Sequence, residues 1–219
     1  MVYNPPDLAT LSDSVARDLR DESYKAFSLT EVHDYINAGI SELNEVRPIE
    51  ATVTIIDLAN LDHLGLEYIY KVESRSLINL GQNIIPPNND ESNYPNGWSY
   101  FGGNLILPSA MLSVYATGFE DGSLEIVVYG YRHRELLLLD AQVAEFMVDY
   151  EELAARQFAK WKGLEALEGD RQLFQQWQTA ANNSDVSPTQ LANMEQLAES
   201  EWSRTRRRIY TIRRPAVGW

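Results

Sequence analysis

The chain has no cysteine, which removes a disulfide framework, a thiolate metal site and a cysteine nucleophile from consideration. Histidine is almost as scarce: the three, His33, His63 and His133, fall in separate segments without the spacing of convergent metal ligands. No G-x-x-x-x-G-K-[ST] phosphate loop, G-x-S-x-G nucleophile elbow or H-E-x-x-H helix occurs in the sequence. The opening MVYNPPDLAT has neither a basic n-region nor an apolar h-region, and the longest aliphatic run, Leu136 to Leu139, is far short of a membrane span. These gaps predict a protein that is not an enzyme, uses no metal or cofactor, and neither enters a membrane nor is secreted.

What the chain does have is enough apolar material, 44% of 219 residues, for one good core or a core with an inserted subdomain. Its net charge of −14 is unevenly distributed. Residues 204–219 hold six arginines (Arg204, Arg206, Arg207, Arg208, Arg213, Arg214) and no acid, so the first 203 residues carry 12 basic against 32 acidic groups, a balance of −20. An acidic body repels a polyphosphate backbone, whereas a basic end invites an acidic partner. Ile209, Tyr210, Ile212 and Trp219 are interleaved with the arginines, which a purely solvating tail would not need. The mixture suits docking on a partner, since Arg and Trp dominate interface hot spots.

The clearest local signal is FSLTEVHDYINAGISEL, residues 27–43. Ser28 and Glu31 form a capping box, with Phe27 and Val32 positioned as its hydrophobic staple. Leu29, Val32, Ile36, Ile40 and Leu43 then recur at helical spacing, His33, Asp34, Asn37, Ser41 and Glu42 fall elsewhere, and Pro48 stops the helix. Upstream, Leu8, Leu11, Val15 and Leu19 form a second stripe, joined to the first by the polar linker DESYKA.

Residues 49–133 change to period-two and β-branched runs. The Glu-Asp-Gly-Ser turn signal predicts a hairpin of strands 111–119 and 124–132, and Gly102-Gly103 beside Asn104 reads as a second hairpin turn. Between the runs LEYIYKVESRSLI and NLILPS the Gly/Pro/Asn-rich segment 79–104 reads as a long loop, too polar for core, with a short strand near Trp98–Phe101.

Helical periodicity returns after His133, with Val143, Met147, Tyr150, Ala154, Phe158 and Trp161 as an inward stripe and Gly163 as a terminator. Glu145, Asp149 and Glu152 line the opposite side, and neighbouring acids such as Glu151 and Glu152 read as solvated. A further segment places Leu164, Leu167, Phe174 and Trp177 inward. Ser187-Pro188-Thr189-Gln190 is a second capping box with a Val186/Leu191 staple, and its helix turns Leu191, Met194, Ala198 and Trp202 inward. The predicted fold is α+β: a bundle of N-terminal (1–48) and C-terminal (134–203) helices, a mainly antiparallel β insertion (49–133), and an extended basic arm (204–219).

The pairing of LSDSVARDLRD with FSLTEVHDYINAGISEL at the start of a chain of this length resembles the head-to-tail adaptor, or connector, family of tailed bacteriophages. The resemblance implies a virion structural protein, assembled in the host cytoplasm, that forms a homo-oligomeric ring of twelve copies at the neck. Its partners would be the portal protein, a downstream neck or tail protein, and DNA that passes through without sequence-specific binding. The arm residues Arg204, Arg206, Arg207, Arg208, Ile209, Tyr210, Ile212, Arg213, Arg214 and Trp219 would dock on the portal. Glu145, Asp149 and Glu152 would face the lumen, where negative charge keeps DNA from sticking. A tail tubular or tail-completion protein of the same virion is the alternative. A nucleic-acid-binding regulator using the Arg-rich arm is the alternative from another class.

Overall fold

The capping boxes set two helix starts. In the computed structural model, which describes residues 3–57, 61, 64–78, 81–87, 97–107 and 109–210 (109–114 and 210 by backbone alone), both boxes form. The order is α1 (Leu8–Asp18), α2 (Leu29–Val46), β1 (Ile49–Ile55), β2 (Tyr68–Ser76), β3 (Gln82–Ile85), β4 (Ser99–Phe101), β5 (Asn104–Ile106), α3 (Ser109–Glu120), β6 (Leu124–Arg132), α4 (Asp149–Gly169), α5 (Arg171–Ala180) and α6 (Pro188–Tyr210). The fold is α+β, with an antiparallel sheet inserted between early and late helices. Among the described residues the chain divides into unit 1, residues 3–47 with 134–210, and unit 2, within residues 48–133.

Unit 1 is a helical bundle in which α2 packs on α4, and α4 on α6. Leu8, Leu11, Val15 and Leu19 of the first stripe, and Val32, Ile36, Ile40 and Leu43 of the second, are buried in one core with Phe27, Leu164, Leu167, Trp177, Leu191, Ala198 and Trp202. Leu29 is the exception, largely exposed in the first turn of α2. The linker between α1 and α2 is more than polar filler. Asp21 is buried, and its carboxylate accepts from the backbone N–H groups of Lys25, Ala26 and Phe27 at 2.8–2.9 Å, orienting the chain into the Ser28 cap.

Two expectations for α4 are corrected. The helix begins at Asp149, so Val143 and Met147 precede it and, like Tyr150, are exposed rather than inward. Gly163 does not end the helix but lies inside it, where an added Cβ would sit 2.7 Å from Leu19 Cδ2. The break comes at Gly169, and Asp170 caps α5 through the N–H groups of Gln172 and Leu173. Residues 204–210 are likewise not an extended arm. They continue α6, with Thr205 and Ile209 buried, because the apolar period of that helix runs on past Trp202. Residues 211–219 lie outside the described part.

Unit 2 is built on a four-stranded antiparallel sheet in the order β1-β6-β2-β3. Ile55, Ile69, Val72, Ile85, Ile126 and Val128 share one core. Alternation along the strands puts Ile126 and Val128 opposite Ser74 and Val72, which fixes the register. The glycine-paired hairpin forms, β4 to β5, with Gly102 and Gly103 both at positive φ as a two-residue type I′ turn needs. The segment 79–104 is not a single polar loop. It carries β3 and β4, and it contributes Ile85 and Trp98 to the core, Trp98 Nε1 donating to Ile85 O at 2.9 Å.

The hairpin expected over 111–132 is also corrected: residues 111–119 belong to helix α3, while β6 forms as expected. Gly122, at φ +70°, is the reason for the ambiguity. Ser123 N–H donates to Gly118 O and Gly122 N–H to Phe119 O, a Schellman helix stop, and left-handed glycine serves that stop as readily as a hairpin.

Gly39 lets the backbone of α2 come close to that of α4, since an added Cβ would lie 2.9 Å from Ala155 O. Alanine is intrinsically the better helix former by about 1 kcal/mol, yet overpacking typically costs about 1–3 kcal/mol. Gly39→Ala is therefore expected to lower stability in urea unfolding. In the same measurement Ile36→Ala should cost about 2–5 kcal/mol, and Tyr150→Ala, at an exposed site, less than about 0.5 kcal/mol.

Candidate functional site

The residues between β6 and α4 have no regular structure, so their backbone groups need partners from elsewhere. Two asparagines of α2, one heptad apart on the same face, supply them. Asn44 Oδ1 accepts from Arg134 N at 2.8 Å and its Nδ2 donates to Arg134 O at 3.2 Å. Asn37 does the same for Leu137, with Oδ1 accepting from its N–H at 2.8 Å and Nδ2 donating to its carbonyl at 2.9 Å. Farther along, Leu8 N–H donates to Gln142 O, Ala9 N–H to Asp140 O, and Ala144 N–H to Pro6 O. The segment is thus held along its length, and Asn37, off the apolar stripe of α2, is half-buried in this role.

At the head of α4, Glu151 is fully buried, not solvated. Its Oε1 lies 2.8 Å from Arg134 Nη2 and 3.4 Å from Arg47 Nε, while Oε2 accepts from Met147 N–H at 2.7 Å. Arg134 also donates to the carbonyl of Arg47. Burial pulls the Arg134 guanidinium below its usual range, and the charge of Glu151 opposes that shift. Arg47 is the last residue of unit 1 before the insertion and Arg134 the first after it. Sequence pattern gave no sign of this, since an acid in the first turn of a helix ordinarily interacts with the dipole from the solvent side.

The three acids expected to form one line do not share a helix face. Glu145 precedes α4 and accepts from Glu135 N–H at 3.1 Å. Asp149 is the exposed first residue of α4. Glu152 accepts from the Tyr3 hydroxyl at 3.0 Å and lies 3.8 Å from Arg156 Nη1, and burial together with this carboxylate raises the Tyr3 phenol well above its usual range.

The arginines at the chain's end separate into two groups. Arg206 faces back into the bundle, 3.6 Å from Glu42 and over the Trp202 ring, and Ile209 is buried. Arg204, Arg207 and Arg208 are exposed and, with Ser200 and Ser203, border one shallow depression. Tyr210 is the last residue of α6, and Ile212, Arg213, Arg214 and Trp219 lie outside the described residues.

On unit 2 the sheet carries a further charged group. Glu73, nearly buried, pairs with Lys71 and Arg75 and accepts from the Tyr129 hydroxyl at 3.0 Å, and the Lys71 contact first of all holds its carboxyl below the usual range. Lys71, Glu73 and Arg75 follow one another at every second residue of β2, and Tyr129 joins them from β6. His33 lies 3.7 Å from Asp140 and His133 3.8 Å from Glu67, while His63 is outside the described residues. Among the described residues no three His, Asp or Glu side chains converge as a metal site.

Removing one partner of a buried ion pair typically costs about 3–5 kcal/mol, because the other is left buried and uncompensated, whereas apolar replacement of both is often neutral. Glu151→Ala should accordingly destabilise the protein by about that amount in urea unfolding. The double replacement Arg134→Met with Glu151→Leu should recover most of the loss. A Glu151→Ala protein as stable as the parent would show that the pair holds nothing. Neither a protein-family model nor a curated protein matches this sequence.

Proposed function

We propose that this protein is a non-enzymatic virion component, the head-to-tail adaptor that forms a ring between portal and tail at a phage neck. The observation that carries the reading is where the resembled segment lies. Residues 27–43 supply the cap and apolar face of α2, the helix against which α1 and α4 pack, with the β insertion between early and late helices. Several adaptors of the resembled family are likewise a helical bundle with a β element inserted between its early and late helices. The work would be mechanical: a conduit for DNA and a platform for the next neck or tail protein.

In this proposal the portal-docking residues are those beyond α6, namely Ile212, Arg213, Arg214 and Trp219. Ile209 is committed to the bundle core and reaches a partner only if the helix unwinds, and Arg206 already faces Glu42. Glu145, Asp149 and Glu152 remain candidates for the lumen as separate acids rather than as a line. The exposed Arg204, Arg207 and Arg208 are what would favour nucleic-acid binding instead. Against it stands the balance of −20 over residues 1–203, which offers no counterion-release gain on DNA.

Negative-stain electron microscopy of the protein mixed with candidate portals tests the reading. The expected result is a ring stacked coaxially on the portal, lost when residues 211–219 are removed while the helical circular dichroism is kept. A protein indifferent to every portal, whose affinity for DNA falls on the same truncation, would favour the nucleic-acid reading instead.

A further inference from the structure

Helix α1 ends in a Schellman stop: Asp21 N–H donates to Ala16 O at 2.8 Å and Arg20 N–H to Arg17 O at 3.0 Å. Such a stop needs a left-handed residue, ordinarily glycine, yet here it is Arg20, at φ +54°. A long side chain kept where glycine fits better points to a use for its guanidinium. Capping α1 is not that use. A cation at a helix C-terminus ordinarily serves the helix's own carbonyls. Here the stop itself occupies those of Ala16 and Arg17, while Trp177 Nε1 donates to Leu19 O at 2.8 Å and Asn183 Nδ2 to Arg20 O at 3.0 Å.

Pairing within the chain is not the use either. With 32 acidic against 18 basic side chains, an arginine of this protein has acids in abundance, yet among the described residues neither Arg20 nor Arg17, one turn before it, meets a carboxylate. The nearest acids in the chain are engaged elsewhere. Asp13 accepts from the Tyr24 hydroxyl at 3.1 Å, Asp18 from Arg156 Nη2 at 2.9 Å, and Asp21 spends its carboxylate on three backbone N–H groups.

Both arginines line a cavity of about 290 Å³ between the α1–α2 and α5–α6 connections. Ser23 and Asn182 join them in its wall, and among the described residues the side chains of these two also lack a partner. Four side chains able to donate thus border one concavity, with Glu22 as the acid at its rim. The wall is preformed, because the bonds from Trp177 and Asn183 tie the two connections together. A volume at the small end of ligand pockets, about 300 Å³, admits a small molecule rather than a folded partner.

We propose that this cavity binds a small phosphate-type oxyanion, with the guanidiniums of Arg17 and Arg20 on its oxygens and Ser23 and Asn182 completing its hydrogen bonds. The site belongs to unit 1 alone and requires neither a ring nor a portal.

Isothermal titration calorimetry at constant ionic strength tests it, with inorganic phosphate and glycerol phosphate as probes. The parent should bind phosphate at millimolar concentration or below. Arg17→Gln and Arg20→Gly should each weaken binding about tenfold or more, the loss of one charge-assisted contact. Tighter binding of the ester would identify an organic phosphate as the ligand, and equal binding the free ion. Because glycine suits the left-handed stop, Arg20→Gly should melt no lower than the parent in phosphate-free buffer, whereas phosphate should raise the melting temperature of the parent only. A parent that binds neither probe, or an unchanged affinity in either variant, would overturn the proposal. So would an Arg20→Gly protein that melts well below the parent without phosphate, since the arginine would then be structural, or a parent that binds a Glu-rich peptide but not phosphate.

Discussion

A carboxylate with no exposed atom is tolerated only where cations and N–H groups meet it, and in unit 1 the rest of the chain's path follows from meeting that demand at Glu151. Two arginines, far apart in sequence, and the N–H of Met147 converge on it. The arginines are those at which the chain leaves for the β insertion and returns from it. A single buried group therefore fixes both crossing points within the bundle and the start of α4. An apolar cluster would stabilise comparably, but without direction; charge and hydrogen-bond geometry specify which residues must come together.

Helix α2 divides its surface among three tasks. Its apolar stripe joins the core, Gly39 lets the backbone of α4 come close, and Asn37 with Asn44 serve as a surrogate strand for the irregular residues that follow β6. Those residues can thus be ordered with Leu137, Ala144 and Phe146 in the core and Leu136, Leu138, Leu139, Val143 and Met147 left on the surface. Exposed apolar surface of this kind is costly for a monomer and useful to an assembly.

Local signals were legible in the sequence where local chemistry decides. Ser28 with Glu31 and Ser187 with Gln190 cap their helices because the partner is three residues away in any context, and the Ile36–Ile40–Leu43 stripe is buried as its period implies. Legibility failed where one residue serves two structures. Gly122 stops α3 instead of turning a hairpin, and Gly163 makes room for Leu19 instead of ending α4. It failed again for long-range polar partners: nothing near Asn37, Asn44, Asp21 or Glu151 in the chain distinguishes them from solvated residues. Val143, Met147 and Tyr150 matched a helical period, but no side-chain cap starts a helix before them, and α4 begins only at Asp149.

Native-state amide hydrogen exchange on Glu151→Gln tests this account most directly, because the variant keeps the shape of the side chain and removes its charge. The amides of Arg134 and Leu137, which donate to Asn44 and Asn37, should lose protection together, while those of β6 and of the middle of α2 keep theirs. Unchanged protection at Arg134 and Leu137, or a loss spread evenly through the bundle, would contradict the claim that the Glu151 carboxylate fixes the two crossing points.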